Sequence, residues 1–147
     1  IFYLRKNSNK DNKFFFQLIN FFSKKYKIAV IGDHVESIKN KKNIYIFFNI
    51  KRSGAKKIIS QSKFAVGTKE NLLSFFTLDC LSFNLDVFYN KNFKINRSIH
   101  TNLLHPINFE NSEIAINKIK NILKKKNKKY LRIDKINYIK YLNYCNF

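Results

Sequence analysis

Residues 27–33 read Lys27-Ile28-Ala29-Val30-Ile31-Gly32-Asp33. The apolar run is short, rich in β-branched residues, and closed by a Gly-Asp pair, so it predicts a strand over 27–31. Nothing in it alternates between polar and apolar. A strand of that kind has both faces covered, as in a parallel sheet with helices on either side.

The flanking sequence supplies the helices and further strands. Upstream, 1–4 (IFYL) predicts another buried strand. A polar loop follows, and then Phe14, Phe15, Leu18, Ile19, Phe21 and Phe22 recur at helical spacing, with Lys24 and Lys25 expected at the helix end, where cations suit the dipole. Downstream, strands are expected over 44–48 (IYIFF), 63–66 (KFAV, stopped at Gly67), 86–89 (DVFY) and 102–104 (ended near Pro106). Between them, Ala55, Ile58 and Ile59 mark a short helix, and Phe75, Leu78 and Leu81 lie on one helical stripe. Asn111 is expected to cap a helix carrying Ala115, Ile116, Ile119, Ile122 and Leu123. Strands alternating with helices predict an α/β, Rossmann-like doubly wound parallel sheet. The expected division is one domain over 1–129 and a helical tail over 130–147.

Composition constrains the function classes. Hydrophobic residues make up 45% of the chain, 16 of them Phe, which excludes a disordered protein. The formal net charge of +20 comes almost wholly from Lys, with Arg only at Arg5, Arg52, Arg97 and Arg132. Lys, Asn, Ile and Phe dominate together, so the charge reads as compositional drift toward AT-rich codons, and nucleic acid is not the expected partner. A basic nucleic-acid-binding module is the alternative, and a basic face would also suit anionic lipid headgroups. Cys80 and Cys145 lack metal-ligand spacing, and His34, His100 and His105 form no zinc signature; a reducing cytoplasm is the expected setting. No apolar run reaches the ~20 residues of a membrane span. The chain starts at Ile1 and has no methionine, which points to a piece of a longer protein.

In doubly wound folds ligands bind beyond the carboxyl ends of the strands, so the informative loops are 5–12, 32–42, 49–54 and 67–74. In the first, Arg5 leaves the strand and Lys10 precedes the helix; two cations beside a helix N-terminus suit a diphosphate. In the last, Glu70 and Asn71 open a segment that continues through Ser74 to Asp79. A carboxylate there can accept hydrogen bonds from both hydroxyls of a ribose. The plainer alternatives are a solvated basic loop in the first case and helix capping by Ser74 or Asn71 in the second.

Taken in order, these pieces resemble the C-terminal, donor-binding domain of group 1 GT-B glycosyltransferases. That family's first strand runs into G-R-x4-K-N, and Leu4 to Asn12 is similar, with Arg5 and Lys10 at the family spacing and Leu4 in place of the glycine. Val30-Ile31-Gly32-Asp33 resembles its V-G-D-G turn. Asn43 to Ile50 and Ser62 to Val66 resemble the segments that follow. Glu70 to Phe88 echoes E-G-F-G-L-x-x-L-E-A-M-A-C-G-x-P-V-I, with Glu70 as the first acid, Asp79 as the second after one inserted residue, and Leu72 and Leu73 where the family has glycines. His105-Pro106-Ile107-Asn108 looks like the loop before its last amphipathic helix.

The resemblance covers about residues 1–126. It implies a glycosyltransferase domain that binds a nucleotide-diphosphate sugar as substrate, without a further cofactor. Arg5 and Lys10 would hold the diphosphate, Glu70 and Asn71 the ribose or sugar hydroxyls, and Gly32, Asp33, Ser74 and Asp79 would support the site; no metal is required, because the cations supply the positive charge. The implied acceptor is a surface glycan or lipid-linked sugar. An N-terminal acceptor domain that is not in this chain would complete the cleft, and the setting would be cytoplasmic, at the inner face of a membrane. A glycosyltransferase-like interaction domain without a donor site is a further alternative.

Overall fold

The computed structural model describes residues 1–5, 9–33, 42–68, 72, 74–93 and 102–125, with the side chains of 9–12 excepted. The expected tail helix over 130–147, and with it the domain boundary at 129, lies outside the described residues.

Six strands form one sheet: β1 (Phe2–Leu4), β2 (Ile28–Gly32), β3 (Ile44–Phe48), β4 (Phe64–Val66), β5 (Asp86–Asn90) and β6 (Leu104–Ile107). Their order is β3-β2-β1-β4-β5-β6, and every neighbouring pair is parallel. Four helices flank the sheet: α1 (Asn9–Phe22), α2 (Arg52–Ser60), α3 (Phe75–Ser82) and α4 (Ser112–Lys125). This is the Rossmann-like doubly wound arrangement that the alternating pattern predicts.

Side-chain alternation along the strands sorts the core into two layers. Phe2, Leu4, Ile28, Val30, Phe64, Val66, Phe88 and Ile107 point to one face, where α1 and α4 cover them with Phe15, Leu18, Phe22, Ala115 and Ile119. Ile31, Ala65, Val87, Tyr89 and Leu104 point to the other, against Ile59 of α2 and Phe76, Cys80 and Leu81 of α3. Phe64 is the hub of the first layer. Its ring meets Phe2, Phe22, Tyr26 and Phe88 edge-on at centroid distances of 6.3, 5.4, 6.2 and 5.9 Å. Each such pair adds about 0.5–1.5 kcal/mol beyond the area it buries. Cys80 is fully buried in the second layer, and burial pushes its thiol well above the usual range, so it packs as a small apolar residue.

Local chemistry fixes the element ends. Asn111 caps α4 as expected: its side-chain oxygen accepts from the Ile114 N–H at 3.0 Å. Ser74 caps α3, accepting from the Thr77 N–H at 3.3 Å. Three turns need a left-handed residue, and each uses asparagine: Asn43 (φ 71°), Asn49 (φ 53°) and Asn84 (φ 58°). Asn84 closes α3, with its own N–H bonded to the Leu81 carbonyl and the next N–H, of Leu85, reaching back to the Cys80 carbonyl, both at 3.0 Å.

Three expectations are corrected. Lys24 and Lys25 lie in the turn beyond α1, which ends at Phe22. Lys10 is inside the first turn of α1 instead of ahead of it. The last strand is Leu104–Ile107, with Pro106 within it rather than ending it. Pro106 is tolerated because β6 is an edge strand: its ladder to β5 uses the carbonyls of Leu103 and Ile107, and alternation turns the Pro106 nitrogen to the open side.

Candidate functional site

The strand order reverses between β1 and β4. The chain leaves β1 toward one face and β4 toward the other, which makes the carboxyl edge between them the switch point at whose crevice doubly wound folds bind ligands. These two loops hold the residues that the sequence singles out for diphosphate and ribose. Helices in such a fold run antiparallel to the strands, so the N-termini of α1, α2, α3 and α4 also gather at this edge.

Arg5 follows β1 directly, with half of its side chain exposed. Its Nε lies 4.0 Å from Asp33 Oδ2, at the equally exposed start of the loop after β2. Gly32 makes this approach possible. Its φ is +118°, and a Cβ there would stand 2.0 Å from the Leu4 carbonyl oxygen and 3.0 Å from the Tyr3 ring. The N–H of Asp33 then donates to that same Leu4 carbonyl at 3.0 Å, holding the β1 and β2 loops together. Lys10 contributes a position in the first turn of α1, close behind the Arg5 loop; its side chain lies outside the described residues.

Glu70 and Asn71 lie outside the described residues, as does Leu73. The segment around them is anchored at both ends. Thr68 is buried just after β4, and Leu72 is 8% exposed, packed into the second core layer. Leu72 stands where the resembled family has a flexible glycine stretch, and here it is an apolar anchor.

Ser74 and Asp79 have structural work. The Ser74 hydroxyl caps α3 and lies 3.3 Å from the Thr77 hydroxyl. Asp79 is almost fully buried and clamped by Arg52 through two parallel bonds, Nε to Oδ2 at 3.0 Å and Nη2 to Oδ1 at 2.9 Å. The ammonium of Lys56 is 3.6 Å from the same carboxylate. The Arg52 guanidinium also lies over the Phe75 ring, 4.4 Å from its centroid. Planar stacking plus a bidentate carboxylate is an arrangement that Arg can make and Lys cannot. Arg52 therefore locks the N-terminus of α2 to α3. Sequence reasoning passed over Arg52, although it is one of only four arginines and opens α2, directly after the loop that follows β3.

A second side-chain pair joins two neighbouring strands. His105 of β6 meets Asp86 of β5, Nε2 to Oδ1 at 2.6 Å, with both side chains largely buried. The His105 ring also packs on Phe88, at a centroid distance of 5.2 Å. Asp86 opens β5, so this pair serves the amino edge, away from the crevice.

No family model matches the chain, and no curated protein matches it. Among the described residues, no helix is long and apolar enough to cross a membrane. The fold and the carboxyl-edge crevice define the chain as a Rossmann-like α/β domain, a class that houses many activities.

Proposed function

We propose that this domain binds a nucleotide-diphosphate sugar at the carboxyl edge, as the donor half of a glycosyltransferase. One observation carries the reading: the strand order makes β1 and β4 neighbours, so the Arg5 loop and the 67–74 segment, which resemble the family's diphosphate and ribose motifs, follow adjacent strands at the switch point.

In this reading the bond between the sugar's anomeric carbon and the terminal phosphate oxygen breaks, the leaving diphosphate takes the electron pair, and an acceptor hydroxyl oxygen bonds to the anomeric carbon and gives up its proton. Arg5 and the N–H groups in the first turn of α1 stabilise that charge, with Lys10 on the same turn. Asp33 pairs with Arg5 beside the diphosphate. Glu70 and Asn71 carry the ribose or sugar hydroxyls. Asp79 acts through Arg52, fixing α2 against α3, and does not touch the donor. A glycan or lipid-linked acceptor enters from a second domain, at the inner face of a membrane, so this domain alone binds donor without turning it over.

The test is a thermal-shift screen with UDP, GDP, ADP and CMP and their common sugar conjugates, at about 0.15 M and about 0.5 M salt, because screening weakens non-specific anion binding. One nucleotide should raise the melting temperature at both salts, by the stabilisation of about 2.7 kcal/mol that ligand at a hundred times its Kd provides. Glu70→Ala and Arg5→Ala should each abolish that shift. Equal shifts from every polyanion, lost at the higher salt, would refute the donor site.

A further inference from the structure

Two cavities lie at the opposite, amino edge of the sheet, of about 450 and 390 Å³. They adjoin and share Tyr26, Lys63 and Phe64. The first runs between the end of α1 and the last turns of α4, rimmed by Lys24, Lys25, Lys120 and Lys124. The second continues past Lys27 to the edge strand, where Tyr45 and Phe47 of β3 are 46% and 37% exposed. The groove they form bends around that edge, from the α1/α4 face of the sheet, where the lysines rim it, past the shared Tyr26, Lys63 and Phe64, to the α2 face, where Tyr45 and Phe47 wall it.

The acids are elsewhere. Among the described side chains, Asp33 follows β2, Glu110 lies between β6 and α4, and Glu113 is in the first turn of α4, all at the carboxyl edge, while Asp79, in the second turn of α3, is held by Arg52 at the start of α2. Asp86 is the one described carboxylate in the groove, and His105 holds it. Helix dipoles account for cations at the end of α4, where Lys124 and Lys125 sit. They do not account for Lys27 and Lys63, which precede strands. Compositional drift scatters lysines without removing acids from one edge.

We infer that this groove binds single-stranded nucleic acid. A flexible polyanion matches the row of ammonium groups, and bases match the exposed rings, as in sequence-tolerant single-strand binders. Lysines and rings are already interleaved: Lys25 and Lys63 lie over Tyr26 at 5.8 and 6.0 Å, and Lys120 lies over Phe21 at 5.6 Å. A strand can exchange these contacts for phosphate–ammonium and base–ring contacts. A bilayer surface is flat and fits a protruding basic face better than a concave one. The site is on the opposite edge from the donor crevice, so it stands or falls separately.

The experiment is fluorescence anisotropy of a labelled oligo-dT across a salt series, with phosphatidylglycerol vesicles in a parallel sedimentation arm. The Lys24→Gln/Lys25→Gln/Lys63→Gln variant should flatten the slope of log K against log salt by about 2, since each single-strand phosphate contact contributes about 0.7. The Lys13→Gln/Lys51→Gln/Lys91→Gln variant, equal in charge but away from the groove, should leave the slope unchanged. Tyr45→Ala/Phe47→Ala should weaken oligo-dT binding at least about fivefold without altering the slope, as loss of stacking does. Equal slope changes in both lysine variants would overturn the inference. So would no loss on removing the aromatics, or binding to vesicles but not to oligo-dT.

Discussion

The clamp between Arg52 and Asp79 has unequal halves, and the inequality is measurable. Asp79 has a 3% exposed side chain, whereas that of Arg52 is 48% exposed. Arg52→Ala removes both bonds and the contact with Phe75, and leaves a buried carboxylate facing only Lys56 at 3.6 Å. Stranding a fully buried charge costs about 3–5 kcal/mol. The half-exposed partner and the nearby Lys56 reduce this to about 2.5 kcal/mol. Asp79→Ala strands nothing comparable, because the guanidinium can swing into water, and about 1.5 kcal/mol is expected.

In the double variant, loss of Arg52 no longer strands the carboxylate and forfeits its stacking on Phe75, about 0.5–1 kcal/mol, giving a total of about 2–2.5 kcal/mol instead of the additive ~4. The coupling is therefore about 1.5–2 kcal/mol. Urea denaturation followed by circular dichroism measures it, and Arg52→Ala alone should lower the melting temperature by about 5–10 °C for a chain of this size. Additivity within about 0.5 kcal/mol would refute the clamp, as would a larger loss for Asp79→Ala than for Arg52→Ala.

Gly32→Ala should destabilise by at least about 2–3 kcal/mol in the same assay, because the left-handed backbone and the collision with the Leu4 carbonyl add together; a loss within experimental error would mean that the β1 and β2 loops do not approach as described. In a Cys145→Ser background, Cys80 should resist alkylation by iodoacetamide at neutral and mildly alkaline pH and react promptly in denaturant, because burial holds its thiol protonated there; fast reaction of the folded chain would place it at the surface.

The strands were legible because buried parallel strands are spelled as unbroken apolar runs. Ile28–Ile31 and Phe64–Val66 carry that signal without help from distant residues. Pro106 misled for a complementary reason: whether a proline ends a strand depends on which side of the sheet is open, and strand order is not written locally. The capping roles of Asn111 and Ser74 follow from spacing to the helix and were readable. The buried role of Asp79 was not, because its partner Arg52 is 27 residues away and the pair exists only once α2 packs on α3. The amino-edge groove has the same origin. Its lysines and rings come from α1, α4, β3 and the turns before β2 and β4, and no stretch of sequence contains it.

The asparagines at the three left-handed turns bear on the unfolded chain as much as on the folded one. A glycine at Asn43, Asn49 or Asn84 would adopt the same φ more easily, yet it would also roam more widely once unfolded. Restricting that freedom is worth about 0.4–1 kcal/mol per position when the native angle is tolerated. Asn43 adds a tether, its side-chain amide donating to the Ser23 carbonyl at 3.1 Å. With only three glycines in 147 residues, the denatured ensemble is comparatively stiff, and the chain begins each folding event with its reversals already biased toward the hand that the sheet requires.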